Sequence, residues 1–172
     1  NMDYMKWDAN REMTEVGSLA WPPERQGEIA HRYILGVYDL YSRITKRFPD
    51  MLIEGCSAGG GRFDAGILCF SPQIWTSDIT DALDRIKIQY GTSFAYPCST
   101  MGAHVTKNKY GSRHVSVETR AAVAFAGTFG YELNLDEMPQ EELEKIPGQC
   151  EFFRKYHHIV DNGDYYRLSS PY

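Results

Sequence analysis

The sequence predicts an α/β fold in which short parallel strands alternate with longer covering helices. Three observations lead there. Brief apolar runs, among them Tyr4 to Trp7 and Met101 to Val105, alternate with longer segments whose apolar residues recur at helical spacing. Polar side chains gather where the brief runs end, at Asp8, Glu54, Asp78, His104 and Glu132. Pro22, Pro23, Pro49 and the stretch Gly59 to Gly61 fall between the first runs, as such residues do when they punctuate loops and helix ends.

The first strand is expected over Tyr4 to Trp7. Pro22 and Pro23 suit the opening turn of a helix, where a missing N–H costs nothing, so a helix is expected from about Glu24. Ile29, Tyr33, Ile34, Val37, Leu40, Tyr41, Ile44 and Phe48 then form one apolar stripe, which Pro49 and Asp50 end. Met51 to Ile53 reads as the second strand and opens into Gly59, Gly60 and Gly61, a loop composition. Gln73 to Thr76 is the third strand. Asp81 to Tyr90 is the next helix, with Ala82, Leu83, Ile86 and Tyr90 expected inward. Met101 to Val105 and Phe129 to Leu133 give two more strands. A last helix is expected over Gln140 to Ile146, resuming after Pro147 and Gly148 with Cys150, Phe153, Tyr156 and Ile159 as its inner face. Five strands wound with helices fit an open doubly wound sheet or the later part of an eight-stranded barrel. The absence of a dinucleotide-type glycine fingerprint after the first strand, and polar residues at the ends of several strands, favour the barrel.

Composition narrows the function. In 172 residues, 42% hydrophobic and 13% aromatic content supports a packed core, and a net charge of -5 offers no basic stripe for a phosphate backbone. Nucleic acid is therefore not an expected partner, and a neutral polar ligand is. No apolar run approaches the roughly 20 residues of a membrane span, and no signal-peptide pattern opens the sequence, so neither membrane nor export is expected. Cys56, Cys69, Cys98 and Cys150 lie far apart without zinc-site spacing, which favours a reduced, cytoplasmic setting and no metal.

Two aspartates carry the chemical reading. Asp8 follows Lys6 by two residues, so strand periodicity puts both on one face, where the ammonium is expected to hold the carboxylate ionised as a nucleophile. Asp78 lies beside Trp75 and Ser77, where partial burial is expected to keep it protonated for donation to a leaving group. With one strand between theirs, the backbones should stand roughly 10 Å apart at the usual spacing of about 4.8 Å. Inward side chains would then approach the separation of about 5 to 5.5 Å that goes with retaining glycoside hydrolysis.

The segment Tyr4-Met5-Lys6-Trp7-Asp8-Ala9-Asn10-Arg11 resembles the nucleophile strand of glycoside hydrolase family 36, the large bacterial and fungal α-galactosidases, with its KWDxNR pattern. Cys56 to Asp64 is similar to that family's CxxGxGR segment, and Pro72 to Asp81 to its acid/base segment. The likeness continues through Ile88 to Ser93, Met101 to Val105, Phe129 to Leu133 and Tyr165 to Leu168, so it covers essentially the whole chain in order. Ala58 departs mildly, standing where many members have glycine or serine. The resemblance implies a partial (β/α)8 barrel comprising about strands four to eight. It implies Asp8 as nucleophile and Asp78 as acid/base, with Lys6, Asn10, Cys56 and Gly59 on the galactose hydroxyls. It also implies no cofactor, α-galactoside oligosaccharides such as raffinose or melibiose as substrates, and a homo-oligomer, tetrameric in related enzymes.

Arg62 and Asp64 are read as braces of the glycine loop, His104 as a hydrogen-bonded core histidine, Asp81 as a helix cap, and His157 and His158 as surface or packing residues. Three functional readings stand side by side. The first is a retaining α-galactosidase. The second keeps the same acids in an α-N-acetylgalactosaminidase or a galactosyltransferase. The third is a sugar-binding or assembly fragment without activity, since residues 1–172 are expected to carry the catalytic pair without the whole pocket.

Overall fold

A computed structural model of the chain describes residues 2–10, 13–107 and 114–172. They form two compact units, Asn1–Pro72 and Gln73–Tyr172. In the first unit β1 (Tyr4–Trp7) leads through a 3-10 turn (Pro23–Glu28) into α1 (Ile29–Arg47), and then into β2 (Leu52–Gly55). The two strands pair in parallel, with Lys6 opposite Glu54 and Trp7 opposite Gly55. Pro23 starts the turn as expected, and the helix stops at Arg47, just before Pro49.

Alternation along β1 separates two faces. Trp7 stacks on Tyr41 of α1 with ring centroids 4.7 Å apart, so Met5 and Trp7 are on the side that the helix covers. Tyr4, Lys6 and Asp8 consequently share the opposite face. The α1 stripe is narrower than the sequence suggested. Tyr41 is buried and Ile34, Val37 and Ile44 are half-buried, whereas Tyr33, Leu40 and Phe48 are exposed. The step from β2 to β3 holds only a short 3-10 turn, Ile67–Cys69, in place of a covering α-helix.

The second unit runs β3 (Gln73–Trp75), α2 (Ala82–Thr92), β4 (Met101–Thr106), α3 (Val117–Ala124), β5 (Thr128–Glu132), α4 (Gln140–Leu143) and α5 (Ile146–Asn162). Its strands are parallel, β3 with β4 and β4 with β5. Ala103 and Val105 of β4 pack on Val117, Ala121 and Ala124 of α3. The side chains of His104 and Thr106, and the open position at Gly102, therefore belong to the other face, which is also that of Trp75, the register partner of Gly102.

Three expectations need correction here. Helix α3 was not foreseen, although Ser116 caps it by accepting from the Thr119 N–H. The buried face of α2 is Ala82, Arg85 and Gln89, while Ile86 is exposed, because Arg85 and Gln89 satisfy carbonyl groups of Ser77, Gly102 and Val123. On α5, Cys150 and Phe153 are half-buried but Tyr156 and Ile159 are exposed. Steps of three residues drift by about 60° each on a helix of 3.6 residues per turn, so the predicted row left the packed face after two steps.

A buried ion pair ties α3 to α4. Arg120 donates to the carbonyls of Val115 (3.1 Å) and Thr106 (2.8 Å) and to Glu142 Oε2 (2.6 Å). Arg120→Met removes all three donors at once and strands the Glu142 carboxylate, which is expected to cost about 3 to 5 kcal/mol. Thermal inactivation of the full-length variant should occur several degrees lower. An unchanged midpoint would mean that water or a neighbour replaces the guanidinium without loss.

Candidate active site

Lys6, Asp8, Asn10, Cys56 and Gly59 come together in the first unit at the carboxyl ends of β1 and β2. Asn10 Nδ2 donates to Asp8 Oδ2 at 2.9 Å, and Asn10 Oδ1 accepts from the Ala58 N–H at 2.8 Å. One amide thus links the Asp8 carboxylate to the glycine loop. Partial desolvation pushes the Asp8 carboxyl upward. Hydrogen bonds from Asn10, from the Cys56 side chain and from the Ala58 and Ala9 N–H groups outweigh it and hold the group below its ordinary value. Asp8 is therefore an ionised, hydrogen-bonded carboxylate at the end of a strand.

The donors are chiefly neutral, which corrects the role expected of Lys6. Glu54 is completely buried directly opposite Lys6, and its carboxylate takes the Lys6 ammonium at 3.5 Å as well as the Tyr4 hydroxyl. Burial, the Glu54 hydrogen bond and the Glu54 charge all push the Tyr4 phenol upward. Glu54 was noted in the sequence only as a polar strand end. Its work is to hold Lys6 in place within the row Tyr4, Lys6, Asp8.

Cys56 is buried and its N–H bonds the Trp7 carbonyl at 3.0 Å, so it is both packed and in contact with Asp8. After it the backbone makes a run of positive φ angles at Ser57 (126°), Ala58 (48°), Gly59 (74°) and Gly60 (97°). Two of these are not glycine and carry strain of order 1 to 3 kcal/mol each, which persists only where neighbours fix the conformation. The Ser57 hydroxyl donates to the Ala9 carbonyl at 2.6 Å, and Arg62 Nη2 donates to the Trp7 carbonyl at 3.2 Å. Asp64 Oδ1 accepts from the Tyr38 hydroxyl (2.5 Å) and from the Gly66 (2.8 Å) and Ile67 (2.9 Å) N–H groups. Arg62 and Asp64 are braces, as read from the sequence. The left-handed φ of Ala58 is one that glycine would adopt without strain.

Asp78 stands beyond β3 in the second unit. It is exposed rather than partly buried as expected, because Trp75 fills the buried position beneath it. Trp75 Nε1 donates to Asp78 Oδ1 at 3.0 Å. The indole lies between the His104 ring, centroids 4.8 Å apart, and the Arg85 guanidinium, 5.1 Å from the ring centre. Arg85 is buried and donates to the carbonyls of Ser77 (3.2 Å) and Gly102. Its burial draws its pKa down to about 10. His104 is half-buried with Nδ1 3.6 Å from Glu132, so it packs and pairs as a core histidine does. Asp81 caps α2, accepting from the Leu83 and Asp84 N–H groups. His157 and His158 are exposed on α5.

A cleft of about 740 Å³ includes Lys6 and Asp8 in its lining, along with Met5, Trp7, Ile44 and Phe48. Because Met5 and Trp7 point away from Lys6 and Asp8, a space touching both pairs wraps the edge of β1. Most of its lining is apolar, so it is not read as a sugar pocket.

The melibiase family model matches residues 1–163. The chain belongs to the melibiase family. Among melibiase relatives, α-galactosidase AgaA of Geobacillus stearothermophilus is 53% identical over 171 residues, covering 98% of this chain and 24% of AgaA. α-Galactosidase 1 of Pediococcus pentosaceus is 48% identical over 172 residues, covering 99% of this chain and 24% of that protein. The chain thus spans about a quarter of the length of the curated relatives it matches. A crystal structure of an AgaA variant with raffinose superposes with a TM-score of 0.91 at 52% identity, covering 98% of this chain and 24% of that one. The α-galactosidase of Lactobacillus brevis gives 0.91 at 47%, covering 98% and 23%. The fold of this melibiase chain is accordingly α/β, five parallel strands of a partial (β/α)8 barrel. Arg11, which closes the motif around Asp8, lies outside the described residues.

Proposed function

We propose that the full-length enzyme carrying this chain is a retaining α-galactosidase with Asp8 as nucleophile and Asp78 as acid/base. The observation that carries the reading is the Asp8 carboxylate, held ionised by four hydrogen-bond donors at the carboxyl end of a strand in a melibiase chain. Spacing adds support. Crystal structures of AgaA with raffinose and with stachyose carry single aspartate substitutions at two positions 70 residues apart, and Asp8 and Asp78 are separated by the same interval. Those two sugars also support α-galactosyl oligosaccharides as the substrate class.

In the first step an Asp8 oxygen attacks the anomeric carbon from the β face while the bond to the departing oxygen breaks, and Asp78 gives that oxygen its proton. In the second, Asp78 takes a proton from water, the hydroxide oxygen bonds to the anomeric carbon, and Asp8 leaves as carboxylate. Two inversions return the α anomer. Asn10 and Cys56, which bond Asp8, together with Lys6 and Gly59 are the groups proposed to meet galactose hydroxyls, with Lys6 and Asn10 supplying donors. No step calls for a metal or a nicotinamide.

The test follows product stereochemistry by NMR during hydrolysis of p-nitrophenyl α-galactoside by the full-length enzyme. α-Galactose should appear first and mutarotate afterwards. First appearance of the β anomer would sink the double displacement. The α-N-acetylgalactosaminide run in parallel should be the poorer substrate by roughly 100-fold or more, since the extra 2-acetamido group needs a pocket of its own. A reversed preference would favour the α-N-acetylgalactosaminidase reading with the same two acids.

A further inference from the structure

We infer that Trp75 is a positioning residue for Asp78, which decides through its indole N–H which carboxyl oxygen of Asp78 delivers the proton. The inference rests on the acid/base role proposed above for Asp78. Trp75 Nε1 donates to Asp78 Oδ1 at 3.0 Å. An oxygen that accepts this N–H in line is not the oxygen that bears the acid's own hydrogen, so the transferable proton sits on Oδ2. Without the bond, Asp78 is an exposed side chain free to rotate and to place its proton on either oxygen.

The indole is itself built in. It is 4% exposed, lies on the His104 ring at 4.8 Å and under the Arg85 guanidinium at 5.1 Å. The neighbouring strand leaves space for it. A β-carbon added at Gly102, its register partner, would stand 3.0 Å from Trp75 Cε3. A β-carbon at Gly130, the partner of His104, would stand 3.0 Å from His104 Cδ2, so the ring behind the indole needs a second glycine. Arg85 grips the Ser77 carbonyl at 3.2 Å, which fixes the backbone immediately before Asp78. The Ile79 N–H bonds the Ser77 hydroxyl at 3.1 Å and fixes the backbone after it. Ring, backbone and carboxyl form one fixed assembly, of which the N–H to Oδ1 bond is the last link.

The experiment uses the full-length enzyme and two α-galactosides that differ in their need for a proton. Raffinose expels sucrose, a poor alkoxide leaving group that requires protonation, whereas 2,4-dinitrophenolate departs without it. Trp75→Phe keeps an aromatic ring against His104 and Arg85 but deletes the N–H. Incorporating 3-benzothienylalanine at position 75 deletes it with the bicyclic shape kept, which guards against a mere packing defect. Both variants are expected to lower kcat/KM on raffinose roughly 10-fold and leave dinitrophenyl α-galactoside within about twofold. Asp78→Gly, measured beside them, should show the same split with a larger amplitude, and adding Trp75→Phe to it should cost nothing further. Equal losses on both substrates, or none on either, with Asp78→Gly still discriminating, would overturn the positioning role of Trp75 alone. If Asp78→Gly does not discriminate, the acid/base assignment falls and the role of Trp75 falls with it.

Discussion

Glycine in place of Asp8 in the full-length enzyme is expected to cut turnover of p-nitrophenyl α-galactoside by at least about 10⁴-fold, with sodium azide restoring part of it. Asn10, Cys56 and two backbone N–H groups converge on the Asp8 carboxylate, and they remain when the side chain is deleted. They then surround a vacated space lined with donors, into which a small anion fits. Azide there stands on the β face of a bound α-galactoside and displaces the leaving group once, with inversion, while Asp78 still supplies the proton. The product should be β-galactosyl azide. Because the Asp8 carboxyl lies below its ordinary value, the wild-type nucleophile also stays ionised through the mildly acidic range, and its protonation should limit kcat/KM only at still lower pH. Full loss without any β-azide would transfer the nucleophilic role away from Asp8.

The sequence made β1 and its row of polar side chains legible because a period of two is unambiguous where Trp7 must pack and Asp8 must not. It could not assign partners across strands. Lys6 is near Asp8 in sequence, and proximity suggested an ion pair, but the register that puts Glu54 opposite Lys6 is a tertiary fact. The same limit concealed Arg85. A lone arginine in an amphipathic segment reads as surface, and only the carbonyls of Ser77 and Gly102, on other elements, explain its burial. Helix α3 escaped for the opposite reason. Its Ala121, Ala122 and Ala124 give little contrast between faces, so no periodicity announces it, and Ser116 as a cap was the one local signal.

The glycine loop shows how composition carries part of an answer. Gly59, Gly60 and Gly61 announced unusual backbone geometry, yet the strained run begins earlier, at Ser57 and Ala58. Those residues hold positive φ because Ser57 anchors Ala9 and Ala58 donates to Asn10. The loop is thereby locked to the two residues that follow Asp8, which joins strain to the nucleophile. For Asp78 the sequence located the segment and misjudged its surroundings. Trp75 suggested burial of the acid, and it does supply an apolar wall, but it buries itself and meets Asp78 through a single polar atom.

That difference between the two acids leads to opposite chemistry when each is removed. Asp78→Gly leaves Asp8 and its donors intact, so the first displacement should survive wherever the leaving group needs no proton. With 2,4-dinitrophenyl α-galactoside, the variant is expected to release a burst of dinitrophenolate equal to the enzyme concentration and then slow by about 10² to 10⁴-fold, because no base remains to activate water. The steady-state KM should fall together with kcat, as the covalent galactosyl enzyme accumulates. Azide needs no base. It should attack that intermediate from the α face, speed turnover and yield α-galactosyl azide, the anomer opposite to that from Asp8→Gly. Mass spectrometry of the stalled enzyme should place one galactosyl group on the peptide containing Asp8. If each variant instead gave the other's anomer, the two acids would have to exchange roles, and a burst absent from Asp78→Gly would remove the covalent intermediate altogether.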